Sequence, residues 1–394
     1  MAPGDDCGIL AVVQGRMPYR AALAAIILAA LFMRWYGSTW GAPYGFHFDE
    51  PFVVKPALRI VATGDLDPRF FRYPSAMIYA EAAVAAAWHF LAGMPVRIPH
   101  GPAYGPSDLG PWTWPALITG RRLVGLAGAL TSLAVAALVL ESTGIPGALA
   151  AAALLALVPL HVEHSHYLTT DVPMAALVVL AFALAARARS RAGIAAVGLA
   201  AGAAVATKYT GAAALPGLLA IAILTAPNGE RLSRALVLLG ATACGFVLLC
   251  PYAVLDWRLF VADLAVVREH YASGHLGAEG SANWLWYIER LRESGLGTWS
   301  SFGYGFAFLA GTAGLLVTTK RRPTQPAWAL LAASLTAIAW FAWLGAVPVR
   351  FERNLLPPLV LATAVAGDGI ARLARIPGRP RLSAACALLG AALV

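Results

Sequence analysis

Charge is scarce in this chain. Asp, Glu, Lys and Arg make up 12% of its 394 residues, about half the ~25% usual in soluble domains. With 59% of residues hydrophobic and a mean hydropathy of +0.69, that scarcity excludes a soluble domain of useful size. Cysteine is scarce too. Cys7, Cys244, Cys250 and Cys386 form no C-x-x-C pair, and three of them sit in apolar runs. Free cysteines there behave as small hydrophobes, so neither a disulfide nor a cysteine metal site is expected. A Gly-rich nucleotide loop is also missing.

What is present is apolar sequence. Roughly 18 consecutive apolar residues suffice to cross a bilayer, and runs of about that length recur from Arg121 to the C-terminus. The net charge of +9 would suit a nucleic-acid partner, but such a partner needs one continuous basic face. Here the cations sit in short breaks: Arg187, Arg189 and Arg191; Arg231 and Arg234; Lys320, Arg321 and Arg322; Arg372, Arg375, Arg379 and Arg381. That distribution follows the positive-inside rule and predicts no nucleic-acid binding.

With the basic breaks on the cytoplasmic side, the spans fall at about 19–36, 120–140, 146–163, 172–187, 193–207, 209–226, 235–255, 302–319, 327–345, 355–371 and 382–394. This makes an all-α integral membrane protein of about eleven helices, one membrane domain over 1–394, with its N-terminus inside. The short apolar core after Arg16 and Arg20 also suits a signal peptide. Arg34, Trp35 and Tyr36 extend it to spanning length as interfacial anchors, favouring an uncleaved first span. Residues 74–93 are apolar enough to cross, but a crossing there would put Arg187, Arg189 and Arg191 outside. They are therefore expected to lie in the outer interface, within one extracytoplasmic loop, 37–119. An even number of helices must separate Arg191 from Arg231, which splits 193–226 at "TKYTG". The first half is short, so Lys208 lies slightly below the outer surface, either facing a wet cavity or snorkelling at a helix end.

The polar groups then gather on the outer side. "GFHFDEPFVV" holds Asp49 and Glu50. A carboxylate there suits a general base, or acids near the start of a helix begun by Pro51. "RFFRYPSAMIY" interleaves Arg69 and Arg72 with Phe70, Phe71 and Tyr73, fitting an anionic head group or an interface anchor. In "HVEHSHYLTTDVP", Asp171 caps the next helix or faces the same cavity. His161 and His164 are three apart, a weak metal signal. Arg350 and Arg353 in "VPVRFERNLLPP" suit a lipid phosphate or neutralise the membrane surface.

In order, "FDEP", "TGDLDPRFFRYPSAMIY", "SHYLTTDVPMA", "ATKYTG" and "RFERNLLP" resemble the GT-C superfamily of membrane glycosyltransferases. The nearest branch is the protein O-mannosyltransferase-like group that includes the aminoarabinose–lipid A transferases. The resemblance covers nearly the whole chain. It implies a polyprenyl-phosphate-linked sugar donor held in the cell membrane, an extracytoplasmic acceptor and inversion at the anomeric carbon. It makes Asp49 the general base, with Glu50 beside it and Asp171 as the second acidic position. Lys208 and Arg353, with Arg350, would meet the phosphate, and His270 would lie in a substrate-facing loop; Arg69, Arg72 and Tyr73 are candidates to contact substrate from their own pattern. A nucleotide loop is not needed on that face. No cofactor is assigned; a divalent metal is the one the resemblance would allow, through His270, but Arg72-Tyr73-Pro74 stands where some relatives have a glutamate ligand. The chain also stops at its eleventh span, where relatives continue, so it is a short member or a fragment. The competing readings are a lipid or sugar flippase, which would need polar groups at the midplane and repeated halves, and a non-catalytic partner subunit.

Overall fold

The computed structural model describes residues 6–41, 47–93, 95–97, 113–274 and 283–375. The expected span at 382–394 lies outside them. Among the described residues every regular element is helical: α1 (Asp6–Trp35), α2 (Pro51–Thr63), α3 (Ala76–Ala92), α4 (Trp114–Leu157), α5 (Pro159–His164), α6 (Asp171–Ala185), α7 (Arg191–Thr207), α8 (Leu215–Leu224), α9 (Arg231–Leu249), α10 (Tyr252–Leu255), α11 (Trp257–Ser273), α12 (Asn283–Arg290), α13 (Thr298–Arg321), α14 (Gln325–Ala346) and α15 (Leu356–Ala374). Six stretches, in α1, α4, α9, α13, α14 and at Glu352–Ala374, are long and apolar enough to cross a membrane. The helices at 171–185, 191–207 and 209–224 are apolar but shorter.

The apolar run from 114 to 157 is a hairpin. Gly144 has φ +73° and ψ −159°, a left-handed conformation that a side chain would strain. The chain reverses there. Ala129 packs with Ala156, and Ala136 with Ala148 and Ala152, so the two arms run antiparallel. This is the division expected between 120–140 and 146–163. The second arm breaks at Val158, where Pro159 opens α5.

The basic breaks meet at one end of the bundle. Arg187 pairs with Glu141 at 3.2 Å, Arg234 donates to the Arg189 carbonyl at 2.8 Å, and Arg372 donates to Ser142 and Thr318. The opposite end gathers Asp49, Asp171, Lys208 and Arg353. Charge parity along the sequence thus sorts the helix ends as it should. Over the described residues, each expected span coincides with helical structure.

Close approach of α15 to its neighbours depends on glycine. A Cβ on Gly367 would stand 2.6 Å from the backbone nitrogen of Ala151. Gly367→Ala is expected to push α15 off α4 and destabilise by about 1–3 kcal/mol, as overpacking does. Thermal unfolding in detergent checks this, and an unchanged Tm would contradict it.

α2 and α3 stand beside the start of α4. Pro51 begins α2 at its first turn, and Gly64, at φ +71°, ends it. α3 buries Met77, Ile78, Glu81, Ala82 and Ala85 at helical spacing, while Phe90 and Leu91 are exposed. That half-covered helix is the one read as lying at the interface. Arg34 departs from the interfacial role expected of it. It is fully buried, donating to the carbonyls of Ala30, Leu155 and Ala156 and bonding His161 Nδ1 at 3.0 Å. The helix hairpin supplies carbonyls left without partners by the break at Val158 and Pro159, and Arg34 satisfies them.

Candidate active site

The acidic pair divides. Asp49 turns into a cavity of about 850 Å³, walled also by His47, Arg72, Tyr73, Lys208, His270 and Arg353. Its Oδ2 accepts from Arg353 at 2.6 Å. The Tyr73 hydroxyl hydrogen-bonds it as well, and burial, with Asp49 beside it, pushes the Tyr73 phenol well above its ordinary pKa. His47 is pulled below its ordinary pKa by burial, against the attraction of Asp49 and Glu50.

Glu50 turns the other way. It is fully buried. Its Oε1 accepts from Arg121 Nε at 2.6 Å and from the Leu168 N–H at 2.9 Å, and its Oε2 from Arg121 at 2.8 Å. Arg121 also donates to the carbonyls of Ser38 and Trp40. Consecutive residues at the first turn of a helix point in different directions, so only one carboxylate of the pair reaches the cavity. The expectation that Glu50 works with Asp49 on substrate does not match this placement.

Asp171 opens α6 and is 2% exposed. It pairs with Lys208 Nζ at 2.5 Å and lies 3.9 Å from Arg353. α7 ends at Thr207, and Lys208 takes an extended conformation, φ −152° and ψ 131°. The next turn folds back so tightly that a Cβ on Gly211 would meet the Ala204 carbonyl at 2.9 Å. This break delivers Lys208, 8% exposed, to the cavity. Arg353 thus stands between two carboxylates, its guanidinium 4.2 Å above the Phe351 ring.

Two expected arginines are elsewhere. Arg69, at φ +50°, is an exposed side chain paired with Asp65 at 3.1 Å; it braces the loop before α3 and does not line the cavity. Arg350 donates to Asn283 at 2.7 Å, joining its loop to the start of α12, while Arg353 three residues on enters the cavity. Arg72 lines it, with Asp263 at 3.6 Å. His270 lines it too and stacks on Phe351 at 6.0 Å.

Sequence reasoning missed Arg121, Asp263 and Phe351. Asp263 accepts the Phe71 N–H at 2.7 Å and so ties the loop to α11. Arg121 alone left a trace, a cation at the edge of an apolar run. The histidines of α5 and of the turn after it diverge: His161 meets Arg34, His164 packs on Tyr167, and His166 bonds the Tyr36 carbonyl. Among the described residues no three His, Cys, Asp or Glu side chains are grouped to hold a metal. Asp49 and Asp171 are already bridged by Arg353 and Lys208, so the cavity residues do not fit a metal.

Glu81 of α3 is fully buried, and among the described residues neither of its oxygens has a hydrogen-bond partner. Burial, with Glu50 nearby, raises its pKa well above the usual 4.5. The folded protein therefore holds a proton that the unfolded chain releases above pH 4.5, and stability falls as pH rises from there. The slope for one proton is at most about 1.4 kcal/mol per pH unit. Glu81→Gln is expected to raise Tm at pH 8 and to flatten this dependence. Equal Tm–pH curves for the two proteins would contradict it.

This geometry has counterparts. Residues 118–255 match the family model described as dolichyl-phosphate-mannose-protein mannosyltransferase, the branch expected from the sequence. No curated protein matches the chain in sequence. The oligosaccharyltransferase AglB of Archaeoglobus fulgidus, in complex with an inhibitory peptide and a dolichol-phosphate, superposes with a TM-score of 0.62 at 14% identity, over 96% of this chain and 55% of AglB. ArnT from Cupriavidus metallidurans, bound to undecaprenyl phosphate, superposes with a TM-score of 0.58 at 18% identity, over 96% of this chain and 70% of ArnT. The chain therefore has the GT-C fold of polytopic membrane glycosyltransferases. It spans about half the length of the archaeal protein.

Proposed function

We propose that this chain transfers a sugar from a polyprenyl-phosphate donor to a hydroxyl acceptor on the extracytoplasmic face, with inversion. The observation that carries this reading is Arg353, held between Asp49 and Asp171 with Lys208 alongside, in a cavity at one end of the bundle. Two cations converging there suit a phosphate, and Asp49, once released from Arg353, suits an incoming hydroxyl.

The donor's phosphate diester competes with Asp49 for Arg353, its two unesterified oxygens matching the guanidinium fork. Asp49 is then released to accept the acceptor's proton. The acceptor oxygen bonds to the anomeric carbon from one face. The bond from that carbon to the phosphate oxygen breaks on the other, its electron pair leaving with polyprenyl phosphate. Arg353 and Lys208 stabilise that charge as it develops. Tyr73 holds Asp49 in position, and His270 and Arg72 form the wall across from it. The donor's chain stays in the bilayer. An apolar cavity of about 430 Å³, lined by Leu355, Pro358 and Leu359 close to Arg353 and by Tyr304 and Phe308 of α13, suits it.

The test uses purified protein in vesicles with a panel of polyprenyl-phosphate sugars. Free polyprenyl phosphate is measured, and the product's anomeric configuration is read by NMR. Consumption of one donor with inverted configuration is expected. Retained configuration removes the single-displacement mechanism, and no consumption across the panel removes the transferase reading.

A further inference from the structure

His47 borders the cavity beside Asp49 and takes no part in the transfer steps. Its ring is held in place. Nδ1 accepts the Asp49 N–H at 3.3 Å, and the His47 carbonyl accepts the Glu50 N–H at 3.4 Å, closing the turn that leads into α2. The ring stacks on Tyr167, with centroids 4.3 Å apart and planes 27° from parallel. Tyr167 is fixed in turn. Trp40 and His164 pack on it edge-on, each at 5.5 Å, and its hydroxyl donates to Glu163 at 3.1 Å.

A ring nitrogen that accepts carries no proton, so the proton of the neutral imidazole sits on Nε2. Burial favours that neutral form and Arg353 adds to it, against the attraction of Asp49, Glu50 and Asp171. Among the described residues no protein group accepts from Nε2. It also keeps open surface, unlike His161 Nε2 and His164 Nδ1, which are shut inside the bundle without partners. The result is an immobilised neutral N–H donor on the cavity wall, two residues from Asp49.

We propose that His47 Nε2–H donates to a hydroxyl of the sugar carried by the lipid-linked donor, which makes His47 a determinant of which sugar is transferred. This rests on the transferase reading of the cavity.

The chemistry of transfer favours a donor of this kind. Positive charge develops on the sugar ring as its bond to phosphate breaks. A further cation against the ring would oppose that charge, whereas a neutral N–H orients a hydroxyl without doing so. Arg353 and Lys208, already paired with carboxylates, suit the phosphate instead. Phe48, Phe52 and Phe70 make the neighbouring wall aromatic, a surface for the C–H face of a sugar. A histidine that only closed the turn and packed on Tyr167 would need neither a place on the cavity wall nor an open Nε2.

The acceptor's hydroxyl would meet the same N–H, so the experiment leaves the acceptor out. Native mass spectrometry of the full chain in detergent compares the affinity for undecaprenyl phosphate with that for its mannosyl, glucosyl and galactosyl esters. His47→Asn places an amide oxygen where Nδ1 stood and still accepts the Asp49 N–H, but it has nothing at Nε2. It is expected to hold the preferred sugar-bearing lipid about three- to tenfold more weakly than wild type, as the loss of one hydrogen bond implies, and to hold undecaprenyl phosphate equally well. His47→Gln extends its amide nitrogen toward the place of Nε2 and should recover most of that loss. An Asn variant that binds the sugar-bearing lipid like wild type overturns the proposal, and is the result an acceptor contact would give. Equal weakening of both lipids also overturns it, since His47 would then act only by shaping the turn that carries Asp49. A Gln variant as weak as the Asn variant overturns the assignment to Nε2. A wild type that binds none of the three esters removes the transferase reading, and this inference with it.

Discussion

Asp49→Asn is expected to lower the release of polyprenyl phosphate from the donor by about 10²–10⁴-fold, the range a positioned general base supplies. The substitution keeps the shape and both heavy atoms, so Tyr73 and Arg353 still have a side chain to meet. Arg353 also keeps Asp171 within 3.9 Å, which limits any loss of fold. What disappears is the ability to take a proton. The diagnostic result is therefore a collapse in turnover with Tm nearly unchanged and with donor binding retained. Turnover close to wild type would show that another group accepts the proton and would remove Asp49 from its role. A matched variant separates the phosphate's contribution: Arg353→Ala should weaken donor binding as well as turnover, because its guanidinium meets the ground-state phosphate before the bond breaks.

The neighbouring carboxylate should behave in the opposite way. Glu50→Ala is expected to destabilise the fold by about 3–5 kcal/mol, the usual result of removing one partner from a buried ion pair. Arg121 would be left charged and fully buried, and the Leu168 N–H would lose its acceptor. Leu168 precedes Asp171 by three residues, so the loosened segment carries with it the carboxylate that pairs with Lys208 and Arg353. Glu50→Gln keeps an acceptor for Leu168 and should lose less. The readouts are yield of folded protein and Tm. Should a Glu50 variant fold with the wild-type Tm and yet fail in transfer, the structural role assigned to it would be wrong.

Asp49 and Glu50 thus mark the boundary of what spacing conveys. Adjacent residues in "FDEP" read alike, and the clue that they differ lies 71 residues away, at Arg121, on a helix whose facing could not be inferred. The same holds for the arginines. "RFFRY" and "VRFER" each offer two cations, and in each only the second reaches the cavity, because Asp65 and Asn283 hold the first. Lys208 was more legible. A short helix before "TKYTG" implied a cation below the surface, and the break after Thr207 puts it there. Arg34 was misread because its partners are backbone carbonyls of the α4–α5 break, which no side-chain pattern announces.

By itself the sequence determined the membrane-embedded helical class, the reversal near residue 144, and which helix ends share a side. These follow from hydropathy and from charge counted in order, properties that a chain carries whatever its partners. Only the tertiary structure decided which polar residues converge. A salt bridge between Asp49 and Arg353, or between Glu50 and Arg121, depends on how helices rotate and pack. In an apolar bundle that rotation is set by small-residue contacts such as Gly367 on Ala151, whose effect reaches the ends of the helices where the charges stand.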